Sequence, residues 1–161
     1  KRLADEGYAV VTGGGHGVMA ASNRGAYEAG GASIGLNILL PREQTLNEYT
    51  TENFEFKHFF SRKVAMTLDA SAYLFFPGGF GTFDELFEML ALEQTQKIPP
   101  APIILVGSEY WKPVDRLIKD LLLKEYKTIS PEDYELYQIL DDHDAIVDVI
   151  DAYEKKLNKK K

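Results

Sequence analysis

The 161-residue sequence contains no cysteine, which excludes a disulfide framework, a thiolate nucleophile and a cysteine-based metal site. It also has no apolar run of 18 residues and no signal-peptide pattern, so the sequence predicts a cytoplasmic protein without a membrane partner. Positive charge is scarce: the formal net charge of -7 argues against a nucleic-acid polymer as partner. A small anionic ligand stays open, because a few local donors are enough to bind a phosphate.

Short, wholly apolar runs alternate with helical patterns along the chain. The patterns predict strands over 8–12, 32–40, 54–60, 72–77, 102–107 and near 137–140. Helices are predicted over 18–31, 61–71, 82–96 and 111–125 and at the C-terminal end, with a surface loop over 41–53. Continuous apolar strands between helices are typical of a parallel sheet covered on both faces. The sequence therefore predicts an α/β fold, a doubly wound parallel sheet in a single domain over 1–161.

The two ends of the sequence lead to separate predictions about the start of the fold and about the C-terminal tail. "KRLADEG" (1–7) reads as the last turn of a helix closed by Gly7, so we expect further residues before Lys1. A first βα unit is then expected to be missing from this sequence. The basic tail from about 154 is expected to fray into solvent without a function.

Two glycine clusters follow predicted strands: "GGGHG" (13–17) and "PGGFGT" (77–82). In open α/β sheets, ligands bind beyond the carboxyl ends of the strands. The helix N-termini that follow offer backbone N–H groups and a favourable dipole to an anion. Neither cluster is a P-loop, and the first lacks the third glycine of G-x-G-x-x-G. For the first cluster, a tight turn and a ligand site both stay open.

The second cluster carries two signals at once. Thr82, followed three residues later by Glu85, matches a capping box. A cap does not need the preceding proline or the glycines Gly78, Gly79 and Gly81, which add flexibility that a structural turn would avoid. We therefore predict a capping box at Thr82 together with an anion site.

Three segments resemble motifs of the LOG family, in the family's order and spacing: "TGGGHGVMAASNRGAYEAGG" (12–31), "FFSRKVAM" (59–66) and "PGGFGTFDE" (77–85). The resemblance covers residue 3 to about 153, and members often carry the label lysine decarboxylase. It implies a Rossmann-like fold and a phosphoribohydrolase that cleaves the N-glycosidic bond of nucleoside 5′-monophosphates. The substrates implied are AMP or cytokinin riboside monophosphates, and the products are free base and ribose 5-phosphate. Sites at a dimer interface, and hence a homodimer or larger homo-oligomer, are implied as well.

The resemblance also implies roles for individual residues. Arg62 and Glu85 take the catalytic roles by motif match. Phosphate and nucleotide binding falls to the glycine turns: Gly14, Gly15, Gly78, Gly79, Gly81 and Thr82.

Four further residues are secondary candidates for the site, and some of them also have a simpler structural explanation. Lys63 is otherwise a solvated lysine, and Met66 is otherwise a core residue. Asn23 lies on the helix after the first glycine turn. Glu88 lies one helical turn after Glu85 and is the reserve carboxylate.

The chemistry fits these residue types. Cleavage of an N-glycoside passes through an oxocarbenium-like sugar, which needs a carboxylate nearby to orient water or hold the hydroxyl groups. Glu85 supplies the carboxylate, and Arg62 offers a planar fork of donors for phosphate or ribose oxygens. Binding energy from the phosphate then holds the ribose in a reactive geometry.

Other readings of the same residues stay open. In a non-catalytic nucleotide-binding or sensor module, the glycine turns would bind phosphate and Glu85 would only cap its helix. A lysine decarboxylase would need pyridoxal phosphate on a Schiff-base lysine, and the sequence offers no such motif. The histidines at 16, 58 and 143 form no ligand pair, so we predict neither a metal nor a cofactor. The aromatic residues Phe54, Phe56, Phe59, Phe60 and Phe80 are typical of a core, although one ring could stack on a base.

Overall fold

The computed structural model describes residues 1–39 and 45–159. The helices are α1 (Arg2–Asp5), α2 (Val18–Glu28), α3 (Phe59–Thr67), α4 (Phe80–Gln94), α5 (Ser108–Leu117), α6 (Pro131–Tyr134) and α7 (His143–Asn158). A π-helical segment, Ile118–Glu125, continues α5. The strands are β1 (Val10–Thr12), β2 (Ser33–Ile38), β3 (Glu52–Phe56), β4 (Tyr73–Phe75), β5 (Ile103–Leu105) and β6 (Tyr137–Ile139). The chain forms two compact units, Lys1–Asp69 and Ala70–Lys161, called unit 1 and unit 2.

Unit 1 contains a three-stranded parallel sheet in the order β1-β2-β3. The central strand β2 is buried along nearly its whole length, as its apolar sequence predicts, while the edge strand β3 is mostly exposed. Helix α2 packs against β1 and β2, and α3 packs against β2 and β3. The turn after β1 and the helix α3 are therefore both fixed against the same central strand.

Unit 2 contains a second parallel sheet, in the order β4-β5-β6. Its core joins the sheet to α4, α5 and the π-helical segment through Phe75, Leu86, Met89, Ile103, Leu105, Trp111, Ile118 and Tyr137. Trp111 has no exposed surface, and its indole Nε1 donates to the carbonyl of Val106 at 3.1 Å. Leu86 and Met89 lie three residues apart on α4, so this helix turns one face into the core.

The predicted α/β class with parallel strands is confirmed. The predicted strand over 54–60 is wrong in its second half, because β3 ends at Phe56 and α3 begins at Phe59. The aromatic residues of this region are also not core residues: Phe54, Phe59 and Phe60 are 51%, 55% and 70% exposed. An alternating aromatic pattern thus marked an exposed edge strand and a helix start.

Other expectations have mixed outcomes. A short helix, α1, does precede Gly7, and the tail from about 154 is helical as far as Asn158. Residues 40–44, which include the predicted end of the second strand and the start of the predicted loop, lie outside the described residues. The one-domain organisation over 1–161 stays a prediction.

Candidate functional site

The first glycine turn follows β1 in unit 1 and is held from several sides. Gly14 adopts a left-handed φ of +72°, and a Cβ there would lie 2.6 Å from Leu46 Cδ2. Its N–H donates to Thr12 Oγ1 at 2.9 Å, and its carbonyl accepts the N–H of Asn47 at 2.9 Å. Both the conformation and the close neighbour require glycine at this position. The turn is therefore a fixed structure, and its Gly14 N–H is already engaged inside the protein.

Two buried asparagines, Asn23 and Asn47, hold this turn by hydrogen bonds. Asn23, fully buried on α2, donates through Nδ2 to Ser33 Oγ at 2.9 Å. Its Oδ1 accepts from Thr12 Oγ1 at 2.6 Å and from Asn47 Nδ2 at 3.0 Å. Asn47 Nδ2 also donates to the carbonyl of Gly15 at 3.1 Å. This burial favours a supporting role for Asn23 over direct contact with a ligand.

Arg62 lies on α3 and is only 9% exposed. Its Nε donates to the carbonyl of Leu36 on β2 at 2.8 Å. Its Nη2 lies beside Gly13, 2.5 Å from the position that a Cβ would occupy there. The structure thus brings Arg62 to the first glycine turn. Lys63 and Met66, the two neighbouring candidates on α3, are half-buried.

A surface hollow of about 240 Å³ lies in unit 1, lined by His16, Ala20, Leu46, Asn47, Glu48 and Tyr49. His16 is exposed, and its Nε2 lies 2.9 Å from Thr45 Oγ1. Two lining residues, Leu46 and Asn47, are the ones that hold Gly14 and Gly15. The hollow therefore borders the first glycine turn.

The second glycine turn joins β4 to α4 in unit 2. Helix α4 begins at Phe80 with Gly79 as its N-cap residue and has no side-chain cap hydrogen bond. The predicted capping box is therefore wrong, because Thr82 lies inside the first turn and its N–H already donates to the carbonyl of Gly79 at 3.0 Å. The Thr82 side chain instead fills the space beside Gly78, where a Cβ would overlap Thr82 Oγ1. Tyr110 OH donates to the carbonyl of Gly78 at 2.6 Å and fixes the turn further.

Gly79 and Gly81 differ from the other glycines of this unit. A Cβ at either position would meet no atom within 4 Å. Gly79 has a φ of -93°, and neither residue has a left-handed φ, so the backbone does not require glycine. Phe80, between them, is 97% exposed. The fold of unit 2 therefore gives no steric or backbone reason for glycine at position 81, whereas Gly79 occupies the N-cap position, where glycine is favoured over alanine.

The N-termini of three other helices in unit 2 are already occupied by side-chain oxygens. At α5, Asp141 Oδ1 accepts the N–H groups of Gly107 and Ser108 at 2.8 and 2.9 Å. Hydrogen bonds from the Ser108 side chain and from these N–H groups lower the pKa of Asp141. Ser130 caps α6 and Asp142 caps α7. Helix α4 receives no side-chain cap hydrogen bond at its N-cap residue, Gly79.

Two carboxylates follow the second glycine turn on α4. Glu85 and Glu88 are both half-buried, whereas Asp84 is exposed. Their spacing of three residues sets Glu85 and Glu88 on one face of the helix, as predicted. Unit 2 therefore carries Gly79, Gly81 and Glu85 on one stretch of backbone.

Other features carry no role in this site. A larger hollow of about 630 Å³, lined by Glu93, Gln96, Lys97, Ile98, Pro99 and Pro100, includes none of the predicted site residues. Within residues 1–39 and 45–159, no group of three or more His, Asp or Glu side chains is arranged to hold a metal ion. In the same part of the chain, no helix has the length and apolar character needed to span a membrane.

A family model described as "Possible lysine decarboxylase" matches residues 19–150. The chain belongs to this family, the LOG family. The matched range includes α2 from its second residue onward, Arg62, the second glycine turn and Glu85. The predicted family resemblance is therefore confirmed.

Curated relatives from Oryza sativa subsp. japonica share this family. The chain is 34% identical over 97 residues to a cytokinin riboside 5′-monophosphate phosphoribohydrolase LOG, covering 58% of the chain and 40% of the relative. It is 28% identical over 163 residues to a probable cytokinin riboside 5′-monophosphate phosphoribohydrolase LOGL6, covering 99% of the chain and 64% of the relative. The chain thus spans less than two thirds of the length of each.

The solved X-ray structure of TM1055 is similar in fold. The similarity has a TM-score of 0.57 at 22% sequence identity and covers 98% of this chain and 82% of that one. At this identity it bears on the fold alone. With the parallel sheets and flanking helices described above, it supports the predicted Rossmann-like fold.

Sequence reasoning missed the residues that hold the two turns. Gly13, Asn47, the carbonyl of Leu36 and Tyr110 were not among the predicted site residues, although each contacts one of them. Arg62 lies 49 residues after Gly13 and 26 residues after Leu36 in the chain. Asn47 lies 32 residues after Gly15, and Tyr110 lies 32 residues after Gly78. No local sequence pattern indicates contacts over such separations.

Proposed function

We propose that this chain hydrolyses the N-glycosidic bond of a nucleoside 5′-monophosphate. In the reaction with AMP, the bond between ribose C1′ and the base nitrogen breaks, a water oxygen bonds to C1′, and the base leaves with a proton. The products are adenine and ribose 5-phosphate. Membership of the LOG family supports the reaction class, and the names of the rice relatives support a nucleoside monophosphate as substrate.

The observation that carries the proposal is the open backbone at Gly79 and Gly81. Glycine inside a helix costs roughly 0.5–1 kcal/mol of stability relative to alanine, and Gly81 lies inside α4. Neither a left-handed φ nor a close neighbour accounts for glycine at these positions. Close approach of a phosphate to the bare backbone accounts for Gly81, and the N-cap residue Gly79 leaves the same helix start without a side-chain cap.

The catalytic roles proposed for Glu85 and Arg62 come from the family motifs. The Glu85 carboxylate orients the attacking water or stabilises the positive charge that develops on the sugar. The Arg62 guanidinium donates to phosphate or ribose oxygens, and its fixed side chain loses little freedom when a ligand binds.

A pair of substrates tests the proposal. The purified protein is incubated with AMP and, separately, with adenosine, and the products are separated by chromatography. We expect equimolar adenine and ribose 5-phosphate from AMP and no adenine from adenosine, because the phosphate supplies the binding energy. Equal hydrolysis of AMP and adenosine would contradict phosphate recognition. Saturable AMP binding without adenine release, also with a panel of other monophosphates, would favour a sensor module.

We also propose that the protein is a homodimer or larger homo-oligomer. Helix α3 carries two exposed apolar residues one helical turn apart, Phe60 and Val64, at 70% and 56% exposure, and Leu68, directly after the helix, is 67% exposed. Exposed apolar side chains that neighbour one another on a helix are typical of a protein–protein contact. A second copy of the chain is the proposed partner, in line with the family resemblance.

A further inference from the structure

We propose that Gly13 is a positioning residue for Arg62. The guanidinium of Arg62 lies against the space that a side chain at position 13 would fill, and this space is called the seat. Gly13 acts on the reaction only through Arg62. The catalytic consequence rests on the proposed function, whereas the seat itself is a property of unit 1 alone.

The geometry leaves no room for a methyl group at position 13. A Cβ there would lie 2.5 Å from Arg62 Nη2 and 2.9 Å from Met19 Sδ, both shorter than real Cβ contacts allow. The backbone at Gly13 is not left-handed, so alanine could adopt its conformation. Space for the two side chains is therefore the reason for glycine here.

The guanidinium cannot easily move aside. Its Nε donates to the carbonyl of Leu36 on the buried central strand at 2.8 Å, and the side chain is 9% exposed. A methyl group at position 13 would press on Nη2 while the Leu36 carbonyl holds Nε of the same guanidinium. The flexible Met19 side chain can shift, but the Arg62 fork would have to rotate or break its bond to the strand.

The neighbouring glycine has a different task. Gly14 has a left-handed φ and packs against Leu46, so its replacement would disturb the turn itself. A substitution at Gly13 leaves that conformation unchanged and displaces Arg62. The two adjacent glycines are thereby separable by experiment.

A double-mutant cycle in stability tests the seat without any assay of activity. Urea midpoints are measured for the wild type, Gly13→Ala, Arg62→Ala and the double variant. We expect Gly13→Ala to lower the midpoint of the wild type clearly more than that of Arg62→Ala, because the second background lacks the closer contact. Arg62→Leu, which also lacks the guanidinium, takes the place of Arg62→Ala if that variant does not fold. Equal shifts in the two backgrounds would overturn the seat.

The control is Gly31→Ala, which creates crowding elsewhere in unit 1. Its Cβ would lie 2.8 Å from the Cβ of Ala4, and its backbone is not left-handed. We expect its effect on the midpoint to be the same with and without Arg62.

Activity then tests the positioning role. Displacement of an active-site group by about 1 Å can cost roughly 100-fold in rate, so we expect Gly13→Ala to lower kcat/KM for AMP by about that factor. Gly31→Ala should keep the wild-type value, and the Gly13→Ala change should have no further effect once Arg62 is alanine. If the wild type is active, full activity of the Gly13→Ala variant would overturn the positioning role. If the wild type hydrolyses no monophosphate, the proposed function fails, and the stability cycle still decides whether Gly13 seats Arg62.

Discussion

Replacing Gly81 by alanine should raise stability and lower activity at the same time. A Cβ at Gly81 would meet no atom within 4 Å, and the backbone is not left-handed, so alanine fits without strain. Alanine is the better helix former, which predicts a gain of about 0.5 kcal/mol or more in the free energy of unfolding. If a phosphate approaches this backbone, the same methyl group displaces it. We expect kcat/KM for AMP to fall by about 10- to 100-fold, equivalent to roughly 1.4–2.8 kcal/mol of lost interaction.

Urea unfolding gives the first quantity, and initial rates of adenine release give the second. Gly78→Ala is the matched control, since its Cβ would overlap the Thr82 side chain and should destabilise the protein. A Gly81→Ala variant that is more stable and fully active would refute the argument that this glycine serves a ligand. A destabilised Gly81→Ala variant would contradict the claim that a methyl group at position 81 meets no neighbouring atom.

Three further predictions concern the core, pH and assembly. Trp111→Ala should lower the free energy of unfolding by about 3–5 kcal/mol, because the indole is fully buried; a loss below about 1 kcal/mol in urea unfolding would contradict its place in the core. Burial, followed by a hydrogen bond to Asp115, raises the pKa of Tyr134 to about 12, and the same causes raise the pKa of Tyr137. Because the pKa of an unfolded tyrosine is about 10, the contribution of these two tyrosines to stability should be constant below that pH. The free energy of unfolding should fall as pH rises from about 10 towards 12, with a shallower fall in Tyr137→Phe; a flat urea midpoint over that range would contradict this. Phe60→Asp should convert the proposed oligomer to monomer in sedimentation velocity, and an unchanged sedimentation coefficient would contradict a contact through this residue.

Sequence patterns predicted the parallel strands and most helices because buried strands and amphipathic helices leave local periodicities. They misplaced the start of α4, since Thr82 and Glu85 match a capping box although Gly79 occupies the N-cap position. They also gave no sign that α5 continues as a π-helix at Ile118, because that change depends on packing.

The candidate site was predictable only in its motifs. The glycine turns, Arg62 and Glu85 could be named from the sequence by family resemblance. The contacts that hold them could not, because the pairing of Arg62 with Leu36 and of Asn47 with Gly15 joins residues far apart in the chain. The distinction between Gly78, which makes room for Thr82, and Gly81, which faces open space, likewise needs coordinates.

The most direct test of the central claim compares adenine release from AMP by the wild type and by Glu85→Gln. We expect turnover by the wild type and a loss of about 10²- to 10⁴-fold in kcat for the variant, because a positioned carboxylate contributes about that factor. AMP affinity, measured by calorimetry, should stay near the wild-type value, and Asp84→Asn, a change at the exposed neighbour, should keep full turnover. Undiminished adenine release by Glu85→Gln would contradict the catalytic assignment, and no adenine release by the wild type would contradict AMP hydrolysis itself.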